Sequence, residues 1–466
     1  MWPRAKEGFA EREFGGAMLG DRRREDRLRM VADQLMQHPE GTWPQKLSRP
    51  ADLDALYRLV NRPEVTHAAV LAPHVRETLE RMQGPGSVVL ILHDTTELDY
   101  STLTSVDLPP IGNGHTRGYL CHNSLAVTPA GDVLGLVNQI LFRRRLAPRR
   151  DRKCASIRRK DRSSRLWKMG SQAIPAAPAE ALWIDVADRG SDVTEFLAYE
   201  IGAGKHFLIR AKTDRNVLLA ENPPKSAKLL EVLRGLPEEA RRPLSVRSSA
   251  GRPARETEVA VTSSVLQIMP PRQPRGEHGR EPLSVWALRV WEPDPPAGVE
   301  PLEWILLTNV PVARLKDAWE RVDWYQRRWI LEEYHKTLKS GCSIEKMQFT
   351  SEEALQPAIA LISVVAVGIL WLRCLSRSPE AQTRPARERF PETMIRILSQ
   401  WRWNDEPPRS DLTVYEFCFA LARLGGHQNR KHDGPPGWIT LWRGWTKLHW
   451  MTEGASITLQ KQSGET

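Results

Sequence analysis

Cysteine is scarce and scattered. Only Cys121, Cys154, Cys342, Cys374 and Cys418 occur among 466 residues, an odd number with no C-x-x-C spacing. This excludes a disulfide framework or a cysteine-built structural zinc site as the basis of the fold, and it fits a reducing cytosol. Long hydrophobic runs are missing too. The opening MWPRAKEGFAER has no apolar stretch of the signal-peptide kind,. The longest apolar run, Ala358 to Leu372 with Ser363 inside it, is short for a bilayer span and is expected as a buried core helix,. A soluble cytoplasmic protein without a membrane partner is the expectation. Acidic charge is in deficit: 67 Lys and Arg against 57 Asp and Glu give a net charge of +10. That balance favours a polyanionic partner without choosing among DNA, RNA and anionic membrane. With 41% apolar residues the chain can bury a sizeable core, divided into two to four domains,.

Against this background the stretch Tyr325 to Lys339, YQRRWILEEYHKTLK, is distinctive. Laid on a helix, Tyr325, Arg328, Glu332, Lys336 and Lys339 fall within an arc of about 80°, a polar stripe roughly four turns long. Ile330, Leu331, Tyr334 and Leu338 lie opposite. The predicted helix thus has an apolar back and a front with one carboxylate among cations. A carboxylate can ligate a hard cation while Arg and Lys hold phosphate oxygens. The same spacing also fits a solvated face with an ordinary Arg328–Glu332 pair at i, i+4.

In chain order, Asp21 offers an N-cap to RRREDRLRMVADQLMQ, whose apolar positions are Leu28, Val31 and Leu35,. A second helix, DLDALYRLVNR, is predicted from Asp52 and stops before Pro63. The density of Arg22, Arg23, Arg24 and Arg27 suits a DNA backbone or groove, and equally a solvated charged face. These first seventy or so residues are expected to stand apart from the rest. A mixed sheet is predicted to begin at Ser87: Val88 to Leu92 is a continuous apolar run that ends in His93-Asp94-Thr95-Thr96, placing an acid at the mouth of a buried strand. YLCHNSLAV and DVLGLVNQILF, joined through residues 128–131, read as an antiparallel hairpin. The very basic stretch 143–168 is either a solvated loop or a clamp on phosphates. Ala181 to Ala187 alternates as a strand and meets Asp188-Arg189-Gly190-Ser191-Asp192, a strand-turn-helix unit. Phe207 to Lys212 is the next strand. From about 213 to 301 the pattern is β-rich and punctuated by Pro and Gly, an insertion closed by the returning strand WILLTN. After the long apolar helix the chain is linker-like and then helical again; Gly425-Gly426 can end one helix. Trp438, Trp442 and Trp445 recur at i, i+4 and i+7 on the next, a stripe for core or interface.

Three acids on separate elements suggest one hypothesis. Asp94, Asp188 and Glu332 could hold two metal ions about 4 Å apart, which activate an attacking oxygen and stabilise a leaving one in phosphoryl transfer. Residue type alone leaves competitors: Asp185 beside Asp188, Glu333 beside Glu332, and Glu97 and Asp99 near Asp94.

The order Tyr325, Arg328, Glu332, Lys339, with two, three and six residues between, resembles the signature of the cut-and-paste transposases of the insertion-sequence-four family. ILHDTTELDY is similar to that family's first-aspartate segment, and DRGSD to its second, D-R-E-A-D, with Gly190 in place of the acid; this aligns Asp188 rather than Asp185. WILLTNVPV resembles the segment whose tryptophan, here Trp304, receives a flipped base, and Arg210 and Lys212 match family DNA contacts. LGD-x-R-R-x-x-R-L, with Arg23, Arg24 and Arg27, and the run Tyr57, Arg58, Arg62 resemble the end-recognition domain. The likeness runs from about Gly20 to Trp450.

It implies an α/β fold: a ribonuclease-H-like catalytic core over 76–375 with a β-rich insertion at about 213–301, flanked by an N-terminal helical DNA-end recognition domain (1–75) and a C-terminal helical dimerisation domain (376–466). It further implies Asp94, Asp188 and Glu332 as catalytic metal ligands for two Mg²⁺ ions, with Mn²⁺ substituting. Tyr325, Arg328, Lys336 and Lys339 would hold phosphates. The implied partners are double-stranded transposon ends and target DNA, handled by a homodimer in a bacterial cytoplasm. The implied reaction is cleavage through a hairpin, followed by joining to target DNA.

Overall fold

A computed structural model describes residues 8–112, 115–144, 162–219, 225–246, 255–271, 279–430 and 433–463. Five helices come first: α1 (Phe9–Phe14), α2 (Arg22–Gln37), α3 (Trp43–Lys46), α4 (Pro50–Val60) and α5 (His67–Arg81). α2 begins where its sequence predicts, because the Asp21 side chain accepts from the Arg23 amide at 2.8 Å and satisfies a donor that a helix start leaves open,. Leu28, Val31 and Leu35 are buried on its inner face.

The central sheet follows, with β1 (Val88–Asp99), β2 (Pro110–Ile111), β3 (Thr116–Val127) and β4 (Val133–Phe142), then α6 (Leu166–Gln172), β5 (Leu182–Ala187), α7 (Thr194–Gly202) and β6 (His206–Arg210). β3 runs antiparallel to β1 and to β4, the expected hairpin, while β5 lies parallel to β1 and β6 parallel to β5. This β4-β3-β1-β5-β6 order is that of a ribonuclease-H-like core. β1 is longer than its apolar run implies. Its antiparallel pairing with β3 continues to Asp99, whereas its parallel partner β5 stops at the pair His93–Ala187. Asp94 is therefore within the strand, at the first position past the end of one neighbour, not at a strand mouth.

The β-rich interval extends this sheet instead of folding back as a separate layer. It comprises β7 (Asn216–Leu219), β8 (Lys225–Lys228), α8 (Leu229–Gly235), β9 (Ala240–Val246), β10 (Arg255–Ile268) and β11 (Leu283–Trp291), and it returns through β12 (Glu303–Thr308). β12 pairs antiparallel with β6, and β11, β10, β7 and β8 continue outward, making twelve strands among the described residues, with β9 on β10.

The stretch predicted as one helix is interrupted twice. α9 (Leu315–Arg327) gives way at Arg328 to α10 (Trp329–Lys336), where three-residue hydrogen bonds, Arg328 to the Tyr325 carbonyl and Leu331 to the Arg328 carbonyl, tighten the backbone. A π turn, Thr337–Gly341, then widens it, closed by the five-residue bond from the Cys342 amide to the Thr337 carbonyl,. A regular stripe from Tyr325 to Lys339 is therefore not formed. The apolar back holds: Ile330, Leu331, Tyr334 and Leu338 are buried.

The long apolar run becomes α11 (Glu352–Arg377), started by Ser351 capping the Ala354 amide. It is long and apolar enough to cross a membrane by composition, yet its apolar window is wholly buried in protein, the behaviour of a helix that is hydrophobic all round inside a large core. α2, α4, α5 and β4 pack on it. The N-terminal helices, expected to stand apart, thus share its hydrophobic cluster, because a helix with no polar face must be covered on every side. Three further helices, α12 (Glu392–Trp403), α13 (Val414–Leu424) and α14 (Trp438–Ser463), form their own cluster around Ile395, Leu398, Phe417 and Leu421. α13 stops at Gly425 as predicted, and it crosses α14 closely. A Cβ on Gly425 would lie 1.8 Å from the Thr440 carbonyl oxygen, and one on Gly444 would lie 1.8 Å from that of Leu421. Trp438 and Trp442 are core residues, and the Trp445 indole donates to the Met36 carbonyl of α2 at 3.0 Å.

Candidate active site

Past the end of β5, the face of β1 that carries Asp94 looks onto the turn after β5 on one side and onto α10 on the other. Asp94 Oδ1 accepts from the Thr95 amide at 2.7 Å, and its other oxygen lies 3.6 Å from an Arg328 guanidinium nitrogen. Arg328 also donates to Glu332 one helical turn on, at 2.5 Å. Asp188 caps the short turn Arg189–Ser191, accepting from the Gly190 amide at 2.7 Å. Burial above all, then the negative charge of Asp188 and more weakly that of Glu332, pushes the Asp94 carboxyl up to about 6, against the pull of Arg328 and the Thr95 amide,. Asp188 and Glu332, far apart in sequence, thus both lie within electrostatic reach of Asp94.

The competing acids are engaged elsewhere. Asp185 is buried and bonded to His93 Nε2 at 3.1 Å, on the opposite face of the sheet, since His93 and Asp94 alternate along β1,. Glu333 pairs with Arg373 of α11 at 3.1 Å. Asp99 binds Ser101, and Glu97 is exposed. Gly190, which stands in place of an acid in the resembling segment, also has a physical reason. A Cβ there would lie 2.7 Å from the Trp167 ring and 2.9 Å from Asp188 Oδ1.

Among the described residues no three His, Cys, Asp or Glu side chains close a metal cage as they stand. The Arg328 guanidinium lies between Asp94 and Glu332 and supplies the countercharge there. The donor set nevertheless fits a hard divalent cation. It is all carboxylate oxygen, it already gathers around one positive charge, and Asp94 is short of compensation at neutral pH,.

Beside the acids is a cavity of about 320 Å³ lined by Arg210, Leu244, Trp304, Tyr325, Arg328 and Trp329. Tyr325, expected on a polar front, is 94% buried, a correction that follows from the helix break. Its ring centroid is 5.6 Å from that of Trp304, and burial raises its hydroxyl pKa. Arg210 donates to the Glu303 carbonyl at 2.9 Å. Trp329 has one usable sequence signal, its place directly after Arg328, whereas Leu244, on β9 of the insertion, carries none.

The predicted phosphate contacts divide. Lys336 is exposed, its ammonium 5.3 Å from the Trp329 ring centroid, and Lys212 is exposed. Lys339, displaced by the π turn, pairs with Glu345 at 3.0 Å. On the N-terminal helices Arg23, Arg58 and Arg62 are exposed. Arg24 pairs with Glu64 at 2.9 Å, and Arg27 points at Asp52, 3.4 Å away. Of the basic stretch 143–168, residues 145–161 lie outside the described residues; Arg143 is tied to Glu352, and Arg162 and Arg165 to Glu195.

Fold and site define a ribonuclease-H-like protein with a carboxylate cluster and a helical basic module. Residues 6–65 match the family described as Transposase DNA-binding, and residues 184–367 match the Transposase DDE domain. Together they support a DNA transposase of the DDE class, whose domains generally use divalent metal ions. Asp188 and Glu332 fall inside the second match, and Asp94 precedes it.

Proposed function

We propose that this chain binds the terminal repeats of an insertion sequence, cleaves the DNA there by phosphoryl transfer through a hairpin intermediate, and joins the freed ends to target DNA. The observation that carries this reading is the meeting of Asp94 and Glu332 on one guanidinium, with Asp188 close enough to raise the Asp94 pKa. Asp94, Asp188 and Glu332 would hold two Mg²⁺ ions, Mn²⁺ substituting. Bound there, divalent metal supplies Lewis-acid activation of the attacking oxygen and stabilisation of the leaving one.

The chain's own residues do the rest. Glu332 would be one of the residues that hold the metal, and the Arg328 guanidinium, which contacts both Asp94 and Glu332, is placed to bind the phosphate that enters between the acids,. Lys336 and Lys339 extend that positive edge along the backbone of the cut strand. The Trp304 cavity takes an unstacked base against an aromatic wall formed with Tyr325, with Arg210 in its lining, and the exposed Lys212 adds a further DNA contact,. Arg23, Arg24, Arg27, Arg58 and Arg62 grip the terminal repeat. Domain limits of 1–75, 76–375 and 376–466 follow these roles, the last carrying subunit contacts of a homodimer.

The test is incubation with labelled DNA from the flanks of the protein's own gene in Mg²⁺. Hairpin and strand-transfer products are expected. Nicks without joining would point to a hydrolytic endonuclease of the same fold, and binding without cutting to a regulator. Glu332→Gln, close to isosteric, is expected to abolish cleavage and to leave end binding within about threefold, since base and phosphate contacts of the N-terminal helices are untouched; cleavage at the unsubstituted rate would remove Glu332 from the site.

A further inference from the structure

Beneath the carboxylates, in an otherwise apolar core, runs a line of amides and imidazoles, buried except at its half-buried end, His67. Asp94 faces Asn123 across the β1–β3 ladder, and Asn123 faces Gln139 across β3–β4, so the three side chains form one row on one face of the sheet,. Gln139 Nε2 donates to Asn123 Oδ1 at 2.7 Å and to Ser363 Oγ of α11 at 2.9 Å. Asn123 Nδ2 meets His335 Nε2 at 3.1 Å, and His67 Nε2 meets Gln139 Oε1 at 3.0 Å. Asn123 and Ser363 are fully buried, and Gln139 and His335 nearly so.

The direction of every bond in this row is fixed from one end. Asn123 Nδ2 donates to the Cys121 carbonyl at 3.2 Å, and a flipped amide would set two acceptors face to face,. With Asn123 fixed, its oxygen requires the amide nitrogen of Gln139. The Gln139 oxygen is then left to accept from His67, and His335 Nε2 must accept from Asn123. His67 is the first residue of α5, two positions past the end of the DNA-binding match at 6–65, and His335 is on α10, three residues and so one face from Glu332,. Burial, with Lys339 and Arg328 nearby, pushes His335 down to about 3, so the ring accepts without carrying charge.

We propose that the His67–Gln139–Asn123–His335 row is a positioning device for the carboxylate site: it sets the rotation and depth of α10 against β1, so that Glu332 meets Asp94 across the space Arg328 now fills. This rests on the reading of Asp94 and Glu332 as metal-holding partners. An apolar row would pack at least as stably, and a mismatched one would be costly, so a polar row whose facing donors and acceptors are matched along its length selects one arrangement of strand and helix,. Loss of such outer partners typically lowers metal affinity or activity about 10–100-fold.

Two substitutions at His335 separate positioning from packing. Gln retains an acceptor near the Nε2 position, while Phe fills the space without one. His335→Phe is expected to raise the Mn²⁺ concentration that half-saturates binding, followed by electron paramagnetic resonance without DNA, by about tenfold or more. It is also expected to speed amide exchange across 329–336 in the metal-free protein and to lower single-turnover cleavage at saturating metal, with end binding unchanged. His335→Gln is expected to stay within about threefold on all counts, because its acceptor satisfies the same donor. Gln139→Met, remote from metal and DNA, is expected to behave like His335→Phe, and it decides the matter if His335→Phe does not fold. Wild-type metal binding and exchange in the Phe and Met variants, or equal losses in His335→Gln and His335→Phe, would overturn the proposal. Its failure is separable from failure of the site itself: Glu332→Gln inactive with the row variants unaffected rejects only the row, whereas an active Glu332→Gln rejects the site.

Discussion

In the proposed site, Asp94 is the residue at which folding and metal binding would pull apart. A carboxyl raised from the usual 3.8 to about 6 holds its proton more tightly in the folded chain than in the unfolded one. Folding therefore takes up a proton in that interval, and stability falls as pH rises from about 4 to about 6 and is flat above it. Asp94→Asn removes the penalty. In metal-free protein it is expected to stabilise near neutral pH by up to about 3 kcal/mol and to give no gain near pH 4, measured by thermal unfolding across pH. Added Mg²⁺ should then stabilise the unsubstituted protein and not the Asn variant, because a cation that needs the ionised carboxylate competes with the proton. A pH-independent difference between the two proteins would mean the effect is packing, not charge.

At the scale of elements, the parts legible in the sequence were those set by local pattern. The Asp21 cap, the Leu28, Val31 and Leu35 stripe, the β3–β4 hairpin and the Gly425 stop all follow from spacing of a few residues. What was not legible depends on partners distant in the chain. The length of β1 is decided by β3, which keeps pairing after β5 has ended, and hydropathy along β1 does not record that. The break at Arg328 and the π turn at Thr337–Gly341 occur within a segment whose apolar residues keep a regular period, so only the hydrogen-bond ladder reveals them. Of the proposed site residues, Asp94, Asp188 and Glu332 are marked in the sequence by resemblance as much as by chemistry; Leu244 and the row from His67 to His335 have no linear signature. The α13–α14 crossing yields a further expectation. Gly444→Ala pushes a methyl against the Leu421 carbonyl and should destabilise the C-terminal helices by about 1–3 kcal/mol, seen as a lower unfolding midpoint, with Mn²⁺ binding retained,.

Over the whole molecule the charge excess is the quantity that DNA reads. Arg58 and Arg62 are both exposed on the N-terminal helical module. Replacing both with Gln should weaken end binding and lower the slope of log affinity against log salt by about 2, measured by titrating salt against a labelled end. An unchanged slope would place DNA on another surface. The encasement of α11 has a different bearing, on biosynthesis. Its apolar surface is sealed by α2, α4 and α5, made before it, and by α13 and α14, made after it. A nascent chain therefore carries a partly bare greasy rod at the ribosome until residues 414–463 have emerged, and through that interval it is a natural client for chaperones.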